Sequence, residues 1–116
     1  MTSGINAALT GVLAHQRQVD VAGNNLANVN TDGFKKSRVT MEEQPAGVSA
    51  GSQRVETPGP QYPDPIDPTG PLVEGSNVDI AEEMVALLTG ERGFEANLKA
   101  ISTQDEMLGA LLDIVG

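Results

Sequence analysis

The sequence predicts an all-α fold, in which two long terminal helices form an antiparallel coiled-coil hairpin. An extended proline-rich connector with little or short β structure joins them. Three observations support this prediction: a helical period over residues 3–29, a 3.5-residue repeat over 78–115, and the confinement of all seven prolines to 41–76. The chain therefore divides into an N-terminal coiled-coil helix, a connector and a C-terminal coiled-coil helix, at 1–32, 33–76 and 77–116. We expect the two helical segments to form one domain.

The N-terminal helix is predicted by residues that recur at alternating spacings of four and three. These positions are Ile5, Leu9, Val12, Gln16, Val19, Gly23 and Leu26. Ser3 is a suitable N-cap residue. Gly11 and Gly23 each weaken a helix by up to about 1 kcal/mol relative to alanine, but they also allow another backbone to approach closely.

The C-terminal helix is predicted by a longer repeat of the same kind. Nine of its eleven positions are apolar; the positions are Ile80, Met84, Leu87, Glu91, Phe94, Leu98, Ile101, Asp105, Leu108, Leu112 and Val115. A repeat sustained over five heptads indicates a seam with another helix. At about 1.5 Å per residue, the helix would be on the order of 55 Å long.

The connector contains Pro-Gly-Pro and Pro-Asp-Pro sequences, which exclude a helix or a central strand because proline removes a donor and restricts its predecessor. We expect polyproline II or an irregular extended run over other surfaces. Residues 36–41 and 52–55 allow a short strand each.

Composition indicates a chain that needs partners. Only 3% of the 116 residues are aromatic, so few large side chains are available to fill a core. The net charge of −9 argues against nucleic acid as a partner. Residues 1–40 carry a net charge of +2 and residues 77–116 carry −6, so the two ends attract each other or copies of each other.

Several other classes of function are disfavoured. The chain has no cysteine and one histidine, His15, so disulfides, thiolate metal sites and two-histidine metal sites are excluded. No nucleophile motif surrounds any serine, and we expect neither an enzyme nor a cofactor. The N-terminus lacks the basic region of a secretory signal peptide, and no run reaches the roughly 18 apolar residues of a membrane span, so we expect no direct membrane insertion.

Two stretches carry a family resemblance. VDVAGNNLANVNTDGFKKSR, at 19–38, closely resembles the N-terminal signature of the bacterial flagellar axial proteins, which form the rod, hook and hook junctions. Residues 74–116, which begin EGSNVDIAEEMVALL, resemble the C-terminal signature of the same family. The resemblance assigns subunit packing to Asn24, Asn25, Leu26, Asn28, Asn30, Gly33, Phe34, Asn77, Val78, Asp79, Met84, Leu87, Arg92, Phe94, Asn97, Leu98, Ile101 and Leu108.

The resemblance implies a structural subunit of the flagellar basal-body rod. Its terminal helices would assemble, with copies of itself and other rod proteins, into a hollow axial tube that transmits torque. It would be exported to the periplasmic rod by the flagellar type III apparatus, without a cleaved signal peptide. Because only about 40 residues separate the two signatures, the chain looks most like a small proximal-rod subunit. The alternative is a free-standing coiled-coil adaptor whose proline-rich segment recruits a partner.

The asparagines at the end of the first helix suggest a more specific role. Asn24, Asn25 and Asn28 lie within the helical period, whereas Asn30 and Gly33 lie in a turn-forming stretch. We expect the amides to satisfy backbone groups where the chain leaves the helix, and to hold neighbouring subunits in register.

Overall fold

A computed structural model describes residues 2–115. Met1 and Gly116, which the predicted segments 1–32 and 77–116 include, lie outside the described residues. The elements, in chain order, are α1 (Thr2–Ala27), β1 (Ser37–Gln44), β2 (Gly47–Arg54), β3 (Gln61–Tyr62), β4 (Val73–Glu74) and α2 (Ile80–Val115). The molecule is long and thin, with extents of 80 × 22 × 15 Å.

α2 begins at a side-chain cap. The Asp79 carboxylate accepts hydrogen bonds from the backbone amides of Ala81, at 2.9 Å, and Glu82, at 3.3 Å. Glu82 and Glu83 lie in the first turn, where negative charge is favoured by the positive end of the helix dipole. These contacts fix the start of a 36-residue helix.

The two helices lie antiparallel and close together. A Cβ atom built on Gly4 would lie 2.9 Å from the Gln104 side chain, and one built on Gly11 would lie 2.7 Å from that of Asn97. Farther along, the His15 ring lies over Gly93. Each of these layers opposes a glycine to a larger polar side chain, so the backbones can approach without a layer of bulky apolar residues between them.

The apolar repeats fill the contact between the helices only in part. Val19 of α1 lies against Gly90 of α2, whereas Ile80, Met84 and Leu98 of the predicted α2 repeat are each about half exposed. Val19, Phe94 and Leu98 border a neighbouring side of the helix pair, which we call the open flank.

The prediction of an all-α hairpin is wrong, because residues 33–76 fold into two small antiparallel sheets. β1 pairs with β2 from Ser37↔Arg54 to Gln44↔Gly47, and β3 pairs with β4 through two residues each. The β1–β2 hairpin packs against α1: the Thr10 hydroxyl accepts a hydrogen bond from the Val48 amide at 3.1 Å.

The physical reason for the error lies in the side chains of the hairpin. β1 and β2 read SRVTMEEQ and GVSAGSQR, which contain few β-branched or aromatic residues and no regular apolar alternation. Their stability comes from backbone pairing and from the surface of α1, neither of which leaves a periodic signal in the sequence. The prolines were interpreted correctly as breakers: in the described chain they stand in the hairpin turn and in the segments that flank β3 and β4.

The turn between β1 and β2 requires glycine at position 47. Gly47 has φ +149°, and a Cβ atom there would lie 2.0 Å from the Thr10 hydroxyl oxygen and 3.3 Å from the Ala7 Cα. Gly47→Ala should lower the free energy of unfolding by about 1–3 kcal/mol through backbone strain, with steric overlap adding to the loss. Urea unfolding followed by circular dichroism measures the change.

Gly23→Ala is the matched control. A Cβ atom at Gly23 meets nothing within 4 Å, so helix propensity alone should raise stability, by up to about 1 kcal/mol. An equal change in both variants would contradict the close packing of the hairpin on α1.

Candidate assembly site

A polar junction forms where α1 ends and α2 begins, and Asn25 is its most buried residue, at 1% exposure. Its amide nitrogen donates to the Ser37 carbonyl at 2.8 Å, and its amide oxygen accepts from the Ser37 amide at 3.1 Å. The side chain thus pairs with Ser37 as a neighbouring strand would. This pair of bonds joins the last turns of α1 to the first residue of β1.

Asn77 makes the corresponding hydrogen bonds to backbone groups at the start of α2. Its amide oxygen accepts from the Lys36 amide at 2.7 Å, and its amide nitrogen donates to the carbonyls of Val55, at 2.9 Å, and Thr57, at 3.0 Å. Its own backbone amide donates to the Phe34 carbonyl at 3.3 Å. One side chain therefore joins the segments that precede β1, follow β2 and precede α2.

An ion pair between Lys35 and Glu74 closes the same junction. The Lys35 ammonium contacts the Glu74 carboxylate and also donates to the Thr57 carbonyl at 3.2 Å. The Glu74 carboxylate accepts from the Gly59 amide at 3.0 Å, and its carbonyl accepts from the Gly33 amide at 2.8 Å. The Lys35 ammonium, and secondarily the Gly59 amide, lower the pKa of Glu74 below its ordinary value.

Lys36 and Arg38, which form a basic cluster with Lys35, reach α2. The buried Lys36 side chain places its ammonium 3.2 Å from the Glu82 carboxylate, and the Arg38 guanidinium lies 3.7 Å from the same group. The cluster thus has two acidic partners within the chain, Glu74 and Glu82. The junction thus ties both helices to the sheets through charge and amide contacts.

The open flank provides a surface of the opposite chemistry. A groove of about 470 Å³ runs between the helices there, lined by Gln16, Val19, Glu91, Phe94, Glu95 and Leu98. Its walls include members of the predicted repeats of both helices. Members of the two repeats therefore meet at one open groove, and its three apolar side chains, Val19, Phe94 and Leu98, suit it to a further helix.

The predicted packing residues fall into two groups. Those at the junction are Asn24, Asn25, Leu26, Asn28, Asn30, Gly33, Phe34, Asn77, Val78 and Asp79. Those along α2 are Met84, Leu87, Arg92, Phe94, Asn97, Leu98, Ile101 and Leu108. Asn25 and Asn77 make contacts within the chain, as described, and Asn97 faces Gly11 across the helix contact. Asn24, Asn30 and Arg92 are exposed.

Asn28 illustrates how the end of α1 is organised. Its amide nitrogen donates to the Asn24 carbonyl at 2.9 Å, and its amide oxygen accepts from the Thr31 hydroxyl at 3.1 Å. Gly33 follows with φ +72°, which reverses the chain toward β1. The expectation that the asparagines satisfy backbone groups at the helix end is met by Asn25 and Asn28.

Sequence reasoning missed the partners of these residues. The sequence did not identify Glu74, Glu82 or Ser37 as these partners. Each is 12 to 46 positions from its junction partner, so no local pattern could have paired them.

Among residues 2–115, no group of three or more histidine, cysteine, aspartate or glutamate residues is placed to hold a metal ion. No helix in the same range is long and apolar enough to cross a membrane.

Together, the elongated helix pair, the polar junction and the open flank define the class of protein. They are the features of an elongated structural subunit with an apolar groove open to neighbours.

Comparison with known proteins identifies the family. Residues 5–35 match the family model described as "Flagella basal body rod protein", and residues 72–114 match "Flagellar basal body rod FlgEFG protein C-terminal". The chain is 30% identical to the flagellar basal-body rod protein FlgC of Borreliella burgdorferi, an alignment that covers 97% of this chain and 96% of the relative.

Other relatives match only in part. The flagellar hook protein FlgE of Borreliella burgdorferi is 41% identical over 54 residues, and the basal-body rod protein FlgG of Bacillus subtilis is 45% identical over 51 residues. These alignments cover 47% and 44% of this chain but only 12% and 19% of the two relatives. The chain belongs to the family of bacterial flagellar axial proteins and is similar to its basal-body rod members. The resemblance seen in the sequence is thereby confirmed.

Asn25→Leu tests the junction. The substitution removes both hydrogen bonds to Ser37, so the backbone amide and carbonyl of Ser37 lose their partner. The free energy of unfolding should therefore fall by about 2–4 kcal/mol. Asn24→Leu, on the exposed face of the same helix turn, should change it by less than about 0.5 kcal/mol. Urea unfolding compares the two, and equal losses would show that the Ser37 bonds do not stabilise the junction.

Glu74 should give the junction a pH dependence. Because its pKa is lowered in the folded chain, its stabilisation is fully present above the ordinary glutamate pKa of about 4.3 and is lost as the pH falls through the folded value. The chemical shift of the Gly59 amide proton, followed by nuclear magnetic resonance between pH 7 and pH 3, should change with a midpoint below that value.

Glu74→Gln is the control for this titration, because it keeps an oxygen acceptor but removes the charge. The Gly59 amide should then no longer respond over the same range. A wild-type midpoint at or above the ordinary glutamate value would contradict the ion pair with Lys35.

Proposed function

We propose that this protein is a structural subunit of the flagellar basal-body rod, and that its open flank is the surface through which neighbouring subunits pack. The observation that carries the proposal is the open groove beside the helix contact, which is lined by Val19 of one repeat and by Phe94 and Leu98 of the other. Because Leu98 is 45% exposed and the groove is open, these side chains remain available to another helix.

The arrangement suits a tube built from many thin subunits. Residues 1–32 and 77–116 act as one domain, in which the antiparallel helices form the inner, tube-lining part, and 33–76 form its outer, β-containing part. Partners are copies of this chain and other rod proteins, and the role is mechanical transmission of torque rather than catalysis. The alignment with FlgC, which covers 97% of this chain and 96% of that relative, supports a small rod subunit.

Export to the periplasmic rod would follow the route implied by the family, through the flagellar type III apparatus. A thin fold with few buried apolar side chains is consistent with assembly at the destination, because the isolated chain gains little from folding alone. A free-standing adaptor that uses its prolines to recruit a partner is not favoured: β3 and β4 pair within the connector, and the relatives are rod and hook proteins.

Leu98→Gln tests the open flank in the assembled structure. Leu98 is 45% exposed and lines the groove, so the change should leave the helix intact while removing an apolar contact from the interface. We expect the amount of the variant chain in purified hook–basal bodies to fall at least tenfold, roughly the effect of losing 1.4 kcal/mol of binding free energy at each contact. Quantitative mass spectrometry of these particles, from cells that make only the variant, measures its amount relative to other rod subunits.

Thr103→Gln is the matched control, since it places the same side chain on an exposed position of α2 outside the groove. It should be incorporated as the wild type is. Absence of the wild-type chain from hook–basal bodies would overturn the proposed function itself, and normal incorporation of Leu98→Gln would overturn the role of the groove.

A further inference from the structure

Asp32 and Gly33 form the one aspartate–glycine pair in the sequence, and no asparagine precedes a glycine. Such a pair is prone to spontaneous rearrangement, because glycine has no side chain to keep its backbone nitrogen away from the preceding carboxyl carbon. The other aspartates precede proline, glutamate, valine or isoleucine. Proline has no backbone N–H, and the larger side chains crowd the approach. The chemistry therefore singles out position 32.

The rearrangement needs no reagent other than water. The Gly33 nitrogen attacks the side-chain carboxyl carbon of Asp32, and one carboxyl oxygen leaves as water with the carboxyl proton and the proton of that nitrogen. The product is a succinimide ring. Water then adds to either ring carbonyl and breaks its bond to the nitrogen. Addition at the former backbone carbonyl leaves the main chain running through the side-chain carbon, which lengthens it by one methylene group and yields isoaspartate.

The nitrogen that would attack is engaged in the folded chain. Gly33 has φ +72°, and its backbone amide donates to the carbonyl of Glu74, the last residue of β4, at 2.8 Å. Ring closure removes the hydrogen from this nitrogen, so the bond to Glu74 is lost when the ring forms. An unfolded chain makes no such bond. The fold therefore adds the free energy of this hydrogen bond to the barrier.

The carboxylate of Asp32 is engaged as well. The hydroxyl of Tyr62, on β3, donates a hydrogen bond to it, and this bond raises the pKa of Tyr62 above its ordinary value. Hydrogen bonds to a charged acceptor are stronger than those to a neutral one. Ring closure turns the carboxylate into a neutral carbonyl, so it weakens the bond to Tyr62. Both reacting groups are thus held by one sheet, in which β3 pairs with β4.

Exclusion of water does not protect the pair, since Asp32 and Gly33 are both exposed. Protection depends instead on the β3–β4 sheet, which has two residues in each strand. A two-stranded pair is marginally stable by itself, and small units of this kind open locally without global unfolding. Detachment of the sheet releases both reacting groups at once. The rate of rearrangement therefore follows how often the sheet detaches.

We propose that Asp32 is a site of spontaneous isomerisation to isoaspartate, which the β3–β4 sheet protects while the chain is folded. An unfolded chain reacts at the unprotected rate. The added methylene shifts the Gly33 amide away from the Glu74 carbonyl and moves the carboxylate away from Tyr62. Isomerisation thus weakens the polar junction in chains that stay unfolded for long. The inference concerns the single chain and does not depend on the rod role.

Isomerisation is measured on the full chain in mildly acidic water labelled with heavy oxygen, with and without urea. Each ring opening places a labelled oxygen on residue 32, and mass spectrometry of the tryptic peptide 18–35 detects it, with Asp20 in the same peptide as the internal control. We expect the rate without urea to be lower by about tenfold or more, the factor that corresponds to about 1.4 kcal/mol of local opening. Asp32→Glu should take up no label, because its longer side chain would have to close a larger ring.

Tyr62→Phe tests the role of the sheet. The substitution removes the hydroxyl and keeps the aromatic ring, so the rate without urea should rise about threefold or more. The rate in urea should not change. Asp64→Asn is the matched control, since it neutralises the other carboxylate near Tyr62 and leaves the bond to Asp32 in place. It should isomerise as the wild type does.

Hydrogen exchange of the Gly33 amide measures the same opening independently. Its slowing, relative to the unfolded chain, should match the slowing of isomerisation, and Tyr62→Phe should reduce both by the same factor. The isomerised chain, separated by reversed-phase chromatography and refolded, should lose this protection.

Equal rates with and without urea would overturn the protection by the fold, and absence of label on residue 32 in urea would overturn the site. A Tyr62→Phe chain that isomerises no faster than the wild type would overturn the assignment of Tyr62. Full protection of the Gly33 amide in the isomerised chain would overturn the effect on the junction. Incorporation into hook–basal bodies, which tests the proposed function, is a separate measurement.

Discussion

The close approach of α1 and α2 determines how the rest of the chain is used. Glycine at positions 4, 11 and 93 removes the side chains that would separate the two helices, and Gln104, Asn97 and His15 occupy the space. Because these three layers need no bulky apolar residues, the chain can place some of its apolar side chains elsewhere. Val19, Phe94 and Leu98 line an open groove beside the contact, which we propose as the surface for association.

The polar junction solves a different problem, which is how to attach two small sheets to the helix pair without a core. Asn25 and Asn77 use both ends of their amides, so that each backbone group they meet is satisfied. Lys35 and Lys36 add charge contacts to Glu74 and Glu82. Hydrogen bonds of this kind have strict directions, whereas apolar contacts do not. The junction therefore fixes the orientation of the sheets relative to the helices.

How much of the structure the sequence predicted depends on how far apart the interacting residues lie along the chain. Both helices were predictable, because their period repeats every few residues. Residues 36–41 and 52–55 were recognised only as possible short strands, and the hairpin of β1 and β2 was not predicted, since its strands lack alternation and depend on α1, which lies far away in the sequence. The apolar repeats were recognised as a seam with another helix. Nothing local in the sequence distinguishes the members that meet the other helix, such as Val19 against Gly90, from those that line an open groove, such as Leu98.

The thinness of the molecule has a thermodynamic consequence. With a smallest extent of 15 Å, the chain is little more than one layer of helix deep, and only four apolar side chains of the described residues are buried. Unfolding a single subunit exposes little new apolar surface, so its heat-capacity change and its denaturant dependence should be small for its length. If neighbouring subunits cover the open flank, as proposed, the surface that they bury would make unfolding more cooperative in the assembly than in a single chain.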